Sequence, residues 1–419
     1  MSAPPMEIDP EIAGKRLLIL GAGLWQREYI RRARQLGVET WATDWSADAV
    51  GRGEAHHFEP IDLKDREGTL ALARRARIEA VLTAADIGVP TAAFVADALG
   101  LAGSTPALAR DATHKRHMRE RARRAGLNCP WFFSTERVSD LLPPTSFPAI
   151  VKPADSCSSR GVRVADSRAE LEAAVADALL ASRVGEAVVE EFLVGDEGSI
   201  ELLVQHGQFT VLGMCDKTKS PLPDRYDLEL RYPGDYSPDV SRAIEQMAES
   251  LVRGFDIDDA ILHVEFLVTR DGRVFLLEFA IRGCGSKVIT HLLPQLTGID
   301  IVRAVIRQAF GLTTPLDPTR RAHGALHFLM FPAGQVRAVH GVDEAAGIPG
   351  VIDACVEREP GDVIEAIRDG RSRPGHVLVH GDSREHVQDT LAGVREAIQI
   401  EYADGSRSRP LNLHTWTYA

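Results

Sequence analysis

Two apolar runs, "ILHVEFLV" (Ile261 to Val268) and "VFLLEFA" (Val274 to Ala280), flank the short polar stretch "TRDGR". Asp-Gly between two β-forming runs is a strong signal for a tight hairpin, because the turn needs a backbone that few residues adopt. The chain here must fold back on itself as an antiparallel pair. With Asp271-Gly272 as a two-residue turn, Arg270 pairs with Arg273 and Glu265 stands directly opposite Glu278. His263 then faces Ala280, and Leu267 faces Leu276, on the same side. Opposed residues have Cβ atoms roughly 5 Å apart. Two carboxylates at that separation, in apolar flanks, are costly unless a cation or a shared proton lies between them. A Mg²⁺ held by both carboxylates and by substrate phosphates resolves the conflict. A slipped register, with both glutamates in water, is the alternative.

Upstream, the pattern changes to strands alternating with helices. "RLLILGAG" (Arg16 to Gly23) reads as a buried parallel strand entering a glycine turn, and "WQREYIRRARQLG" as a helix closed by Gly37. "VETWATD" and "RIEAVLTAAD" are further strands, and "GVPTAAFVADALG" is another helix. This predicts a doubly wound α/β domain over about residues 1–105. Thr105-Pro106 opens a helix expected to run through "HKRHMRERARR" to Gly126. Ser167 and Glu170 form a capping-box pattern. From about residue 319 strands and turns predominate, then one helix, with Asp382 and Glu385 as its cap. "RSRP" occurs at Arg371 and Arg407 and reads as turn chemistry.

The totals exclude several classes. The chain has 419 residues, 44% hydrophobic and 26% charged, with a formal net charge of −12. An acidic chain is a poor general nucleic-acid binder, because such affinity rests on neutralising phosphates. No apolar stretch approaches the length of a membrane span. The N-terminus has no basic-then-apolar signal, and five cysteines without C-x-x-C suit a reducing compartment, so a cytoplasmic location is expected.

Several motifs carry candidate chemistry. "AIVKPADSCSSRGVRV" delivers Lys152 at a strand end, followed by a loop of small residues. Such a loop lets backbone N–H groups approach an anion, with the lysine as counter-charge; a solvated surface hairpin is the plain alternative. "VVEEFLVGDEGSIE" brackets Glu190 and Glu191 with apolar residues, as an adenine slot with an acid further on for ribose would require. "GAGLWQ", with Asp44 beyond it, is an incomplete dinucleotide fingerprint because Gln26 replaces the third glycine, and a tight turn without cofactor is the better reading. His114 and His117 have metal-ligand spacing but no further ligand in view. The arginines after Lys115 read as a solvated helix face. Cys157 and Cys284 lie in small-residue loops with no base nearby in sequence.

Taken in order, "THKRHMRERARRAGL", "AIVKPADSCSSRGV", "VVEEFLVGDEGSIE" and "HVEF…LLEFAIRGCGS", after a nucleotide-fold-like start, resemble the ATP-grasp superfamily. The "FPAGQVRAVHGVDEAAGIPGV" and "EPGDVI" segments resemble the C-terminal part of its amino-acid ligases and biotin-carboxylase-type enzymes. The resemblance implies a multidomain α/β and α+β fold. It comprises an N-terminal Rossmann-like pre-ATP-grasp domain (1–105), an ATP-grasp domain (106–318, lid about 146–205) and a C-terminal α+β domain (319–419). It implies ATP as substrate with Mg²⁺, for which Mn²⁺ can substitute, and small-molecule carboxylate and amine substrates, with no nucleic acid or membrane partner. Homodimers are common in the family. By resemblance, Lys115 and Lys152 contact the ATP phosphates, and the loop Ser156 to Gly161, with Ser158, Ser159 and Arg160, closes over them. Glu190, Glu191, Phe192 and Leu193 line the adenine, largely through backbone, and Glu197 holds ribose. Glu265 and Glu278 bind the metal. Arg282 faces the transferred phosphoryl group, and Lys217 lies on a loop approaching the reaction centre. Ala280 stands where the family carries an asparagine ligand. The implied activity is ATP-dependent joining of a carboxylate to an amine through an acyl-phosphate. A thiol or bicarbonate acceptor, a nicotinamide-dependent oxidoreductase and a non-catalytic nucleotide-binding protein are the alternatives.

Overall fold

The computed structural model describes residues 7–156, 160–222, 225–367, 369–370 and 372–413. Its first unit is a parallel sheet of β1 (Arg16–Leu20), β2 (Glu39–Thr43), β3 (His57–Glu59) and β4 (Ala80–Thr83), in the order β3-β2-β1-β4. Leu17, Leu18, Ile19 and Leu20 are all buried, as a central strand covered on both faces requires. The helices α1 (Arg27–Gln35), α2 (Arg66–Ala76) and α3 (Val89–Leu99) complete the unit. Gly37 closes the α1 turn at φ +84°. Both β3 and α2 fall in a stretch where the sequence reading placed no element.

One expectation fails in the next segment. The helix expected from Thr105 to Gly126 is two helices, α4 (Pro106–Thr113) and α5 (Lys115–Arg124). His114 is extended (φ −135°, ψ 107°) and the Lys115 N–H leaves the helix to donate to the Ala154 carbonyl. The break places Lys115 at the start of α5, under the loop that follows Lys152. Beyond it lies a four-stranded sheet of β5 (Phe132–Thr135), β6 (Ala149–Pro153), β7 (Arg163–Ala165) and β8 (Ala187–Glu191), ordered β5-β8-β6-β7. The helix α6 (Arg168–Ala181) packs on it, capped by Ser167 as expected.

The central layer is an eight-stranded antiparallel sheet. It contains β9 (Asp196–Gln205), β10 (Gln208–Lys219), β11 (Asp227–Tyr232), β12 (Ala260–Val268), β13 (Val274–Ala280) and β14 (His323–Leu329). Its order is β13-β12-β9-β10-β11-β14, continued by Gly375–Gly381 and Val351–Val356, so hydrogen bonding runs unbroken past residue 318. On one face, α7 (Pro238–Gly254) buries Ile244 and Leu251 against Leu262, Val264 and Phe266. The other face joins the core of the N-terminal unit, where Leu203, Leu212 and Ile261 meet Leu17, Ile30 and Val305. The last helix, Arg384–Ala397, is capped by Ser383, whose hydroxyl accepts from the His386 N–H. Ser383, not Asp382, is therefore the cap. A second short helix, Val342–Ala346, is also present. Among the described residues, no helix is long and apolar enough to cross a membrane.

The hairpin corrects the turn but keeps the key pair. Its loop has three residues, Arg270-Asp271-Gly272, with Gly272 at φ +80° and the Thr269 N–H donating to the Arg273 carbonyl. Leu267 therefore pairs with Phe275, not Leu276. A bulge between Glu265 and Phe266 then shifts the register, so that Glu265 pairs with Glu278 and His263 with Ala280. The longer loop moves the ladder one way and the bulge moves it back.

Candidate active site

Three cations gather where α5, β6 and β8 meet the hairpin. Lys152 Nζ donates to Glu190 Oε2 at 2.7 Å. Arg119 grips the same carboxylate through Nε (2.7 Å) and Nη2 (3.1 Å), and donates to the Leu276 and Leu277 carbonyls (3.0 and 2.6 Å). The hairpin bulge thus turns two carbonyls towards a fully buried guanidinium. Burial alone would raise the Glu190 pKa, but Arg119 and Lys152 bring it down to about 2. The trio carries one net positive charge. Lys115 Nζ donates to the Ser156 carbonyl (2.5 Å) and to Glu278 Oε1 (3.1 Å).

The opposed glutamates are neutralised from both sides. Lys217, almost fully buried, bonds Glu265 Oε1 and lies 3.4 Å from Asp227. His263 Nε2 is 3.4 Å from Glu265, while its Nδ1 bonds Glu201 at 2.5 Å. Burial disfavours charge on all of them, yet the reciprocal attraction wins. Lys217 is held well above the ordinary lysine range, His263 is raised to about 9, and Glu265 is held well below the carboxylate range. Beyond Glu265, Lys219 bridges Asp227 (2.9 Å) and Glu197 (3.0 Å), and Arg225 adds a 2.6 Å bond to Glu197. Two carboxylates in hairpin register, each matched by a buried lysine, form an oxygen donor pair suited to a hard divalent cation. Ala280 offers no side-chain ligand, so Glu265 and Glu278 are the two carboxylates that this hairpin face could present to a cation.

At the end of β13, Arg282 donates through Nε and Nη2 to both oxygens of Asp86 (2.7 and 2.8 Å), and through Nη1 to the Gly283 carbonyl (2.9 Å). Burial opposes the guanidinium charge, but Asp86 more than offsets it and raises its pKa. Ser286 and Lys287, later in this loop, both have positive φ (50° and 61°). Lys287 Nζ reaches Asp353 at 2.7 Å, and His376 Nε2 reaches the same carboxylate at 3.0 Å, with the Trp25 ring 5.4 Å from His376 edge-on. Arg373 lies with its guanidinium carbon 3.3 Å from the Phe328 ring centroid and donates to the Gly370 and Asp227 carbonyls (2.7 and 3.0 Å). No carboxylate among the described residues pairs with it. Burial, only partly countered by Asp227, lowers its pKa to about 10.

The contacts form three groups around the hairpin: Lys152 with Glu190, Lys115 with Glu278, and Lys217 with Glu265, which continues through Asp227 and Lys219 to Glu197. The side chain of Glu190 faces Arg119 and Lys152, so its part in an adenine slot is confined to backbone. There too the options narrow, since the Glu191 and Phe192 N–H groups already donate to the Trp131 and Pro148 carbonyls. Leu193 lies in the segment that leaves β8 after Glu191. Ser158 and Ser159, with Cys157, lie outside the described residues. Arg160 anchors the loop to its own flanks, bonding the Ala181 carbonyl (2.7 Å) and Ser156 Oγ (3.3 Å). Gly161 sits at φ +72°, where a Cβ would come within 2.9 Å of Ala181 and Pro153. Asp44 accepts from the Ala22 and Ser46 N–H groups (2.9 and 3.0 Å), so both its oxygens are engaged locally and not held out for a ribose.

Sequence reasoning missed Arg119, Asp86, Asp227, Lys219 and Arg373. Arg119 is the clearest correction, because the arginines after Lys115 were expected on a solvated face. It lies four residues beyond Lys115, hence on the same helix face, and that spacing was the available signal. Asp86 comes from a segment far from the motifs in sequence, and Arg373 lies within the first "RSRP", which reads as turn chemistry.

Residues 145–291 match the family model of the ATP-grasp domain, and residues 327–403 match that of L-amino acid ligase C-terminal domain 2. The formate-dependent phosphoribosylglycinamide formyltransferase of Methanocaldococcus jannaschii is 24% identical over 400 residues, covering 92% of this chain and 97% of its own. The enzyme of the same name from Burkholderia vietnamiensis is 32% identical over 198 residues, 45% of this chain and 49% of its own. Among solved structures, an L-amino acid ligase from Bacillus licheniformis superposes with a TM-score of 0.80 at 22% identity, covering 93% of this chain and 99% of that one. N5-carboxyaminoimidazole ribonucleotide synthetase from Thermotoga maritima gives 0.71 at 16% identity, covering 92% and 99%.

Proposed function

Because the chain carries an ATP-grasp domain followed by an L-amino-acid-ligase-type C-terminal domain, we propose that it is an ATP-dependent carboxylate–amine ligase that releases ADP and phosphate. The observation that carries this reading is the Glu265–Glu278 pair, in direct register and matched by Lys217 and Lys115. Glu265 and Glu278 would hold a Mg²⁺, which when bound neutralises phosphate charge. Lys115 and Lys152 bind and orient the phosphates, and Arg119 keeps Lys152 and Glu190 in place. Ser156, Arg160 and Gly161 border the phosphates, on the side where exclusion of water protects an acyl-phosphate from hydrolysis. Glu197 accepts from ribose, and the strand end Glu191 to Leu193 borders the adenine. A substrate carboxylate oxygen attacks the γ-phosphorus as the bond to ADP breaks. The amine nitrogen then attacks the acyl carbon, loses a proton, and phosphate leaves. Arg282 balances the charge that develops on the transferred group, and Lys217, on strand β10 and not on the expected loop, adds a buried positive charge beside Glu265; both act chiefly by prearranged electrostatics.

The relatives act on an amino acid or on phosphoribosylglycinamide, as their names say, and this supports a small substrate bearing both an amine and an anion. Arg373, which pairs with no carboxylate among the described residues, fits that anion. An ADP-release screen with amino acids offered singly and in pairs tests the reading. The expected result is ADP formed only with a productive pair, together with an amide product by mass spectrometry. ADP release needing bicarbonate or a thiol instead of an amine would replace the acceptor class, and no substrate-dependent release would remove the ligase assignment.

A further inference from the structure

We propose that Asp86, from the N-terminal sheet, is a positioning residue that fixes Arg282 for phosphoryl transfer. This rests on the ligase reading above. A guanidinium presents two bidentate edges. Asp86 occupies the Nε–Nη2 edge with both oxygens, at 2.7 and 2.8 Å. The Nη1–Nη2 edge keeps one N–H on each nitrogen beyond the contacts to Asp86 and Gly283. The clamp therefore orients the arginine without consuming the edge that would meet an anion.

The clamp is itself well supported. Asp86 begins a short helical turn just after β4. Thr83 secures that turn, its hydroxyl donating to the Leu20 carbonyl (3.0 Å) and accepting from the Ala85 N–H (3.2 Å). Gly88 closes it, and a Cβ there would lie 2.5 Å from Thr83 Oγ1. On the other side, Gly283 leaves no room, because an added Cβ would meet Ile289 at 2.3 Å. Ile281 packs against Val89, Ala93 and Ala109, which fastens the end of β13 to the N-terminal unit. Arg282 and Asp86 are both about one-quarter exposed or less, so the bond is partly shielded from water. The N-terminal sheet, whose glycine loop and Asp44 satisfy one another, thereby acquires a role that needs no nucleotide of its own.

The test uses the full chain with ADP, Mg²⁺ and fluoroaluminate, which mimics a phosphoryl group in transfer and does not depend on knowing the substrates. Wild type should gain thermal stability with Mg²⁺–ADP and gain further when fluoroaluminate is added. Asp86→Asn should keep the Mg²⁺–ADP shift but lose most of the further gain, and Asp86→Glu should restore part of it. With a productive substrate pair, Asp86→Asn should lower kcat by about 10- to 100-fold, as loss of orientation does, with ADP Kd within about twofold. An Asp86→Asn protein whose fluoroaluminate gain and kcat match wild type overturns the proposal. So does one in which the ADP and fluoroaluminate shifts fall together, since that marks a merely structural role. Wild type lacking any response to Mg²⁺–ADP would instead overturn the ligase reading beneath it.

Discussion

Glu190 shows how one buried carboxylate can organise two cations. It accepts from Arg119 and Lys152, and its pKa falls from an ordinary 4.5 to about 2. A depressed pKa contributes stability that is complete above the unfolded value, near 4.5, and is lost as pH falls towards 2. The shift corresponds to roughly 3 kcal/mol. Glu190→Gln leaves two buried cations without their counter-charge and should cost about 3–5 kcal/mol at pH 7. Urea melts of the two proteins should show that difference shrinking once pH drops below about 4.5; a pH-independent gap would place the loss elsewhere. Glu278 faces Glu265 across the hairpin and also accepts from the buried Lys115. Glu278→Gln therefore removes a like-charge neighbour and an ion pair together, and Mg²⁺ should no longer add to its ADP-dependent thermal shift, because a ligand stabilises only through what it binds. Equal Mg²⁺ increments in both proteins would rule Glu278 out as a ligand.

At the scale of elements, the readable features were those whose cause is local. Apolar runs ending in glycine located β1 and α1, Ser167 located the start of α6, and the apolar flanks of "TRDGR" located the hairpin. What escaped was set by distant partners. The break at His114 exists because the Lys115 N–H bonds Ala154. The hairpin bulge sends two carbonyls to Arg119, which no pattern within the hairpin reveals. The Glu265–Glu278 pairing was legible only because two register errors cancel. The loop after Lys152 carries its own test at Gly161. Its left-handed backbone costs a side-chain-bearing residue about 1–2 kcal/mol, and a Cβ there would press on Ala181 and Pro153. Gly161→Ala should therefore distort the cover over the phosphates and raise the KM for ATP by about tenfold, the equivalent of 1.4 kcal/mol. Unchanged ATP kinetics would separate this loop from nucleotide binding.

Across the whole molecule, the proposed site draws on three parts of the chain that no linear motif joins. Asp86 comes from the N-terminal sheet, the lysines and glutamates from the middle, and Arg373 from the stretch leading into Gly375–Gly381. That last strand belongs to the same eight-stranded sheet as β12 and β13, so continuous strand pairing links the C-terminal residues to the hairpin. Arg373 is stacked on Phe328 and tied to the carbonyl of Asp227, the residue that Lys217 and Lys219 share. Its stem is fixed, its guanidinium pairs directly with no carboxylate among the described residues, and burial outweighs the pull of Asp227 to lower its pKa to about 10. An unmatched, partly desolvated guanidinium is costly to keep in an empty protein and is repaid when an anion arrives. Arg373→Met keeps an apolar stem against Phe328 and removes only the charge. One charge-assisted contact is worth about 1.5–3 kcal/mol, so the KM of the anionic substrate should rise roughly 10- to 150-fold. The KM for ATP and the Mg²⁺–ADP thermal shift should stay near wild type, and the substrate-free melting temperature should hold or rise slightly. Steady-state kinetics with each substrate varied in turn decide it. A loss confined to ATP would move Arg373 to the nucleotide side, and unchanged KM values for both would leave it a scaffold for Asp227.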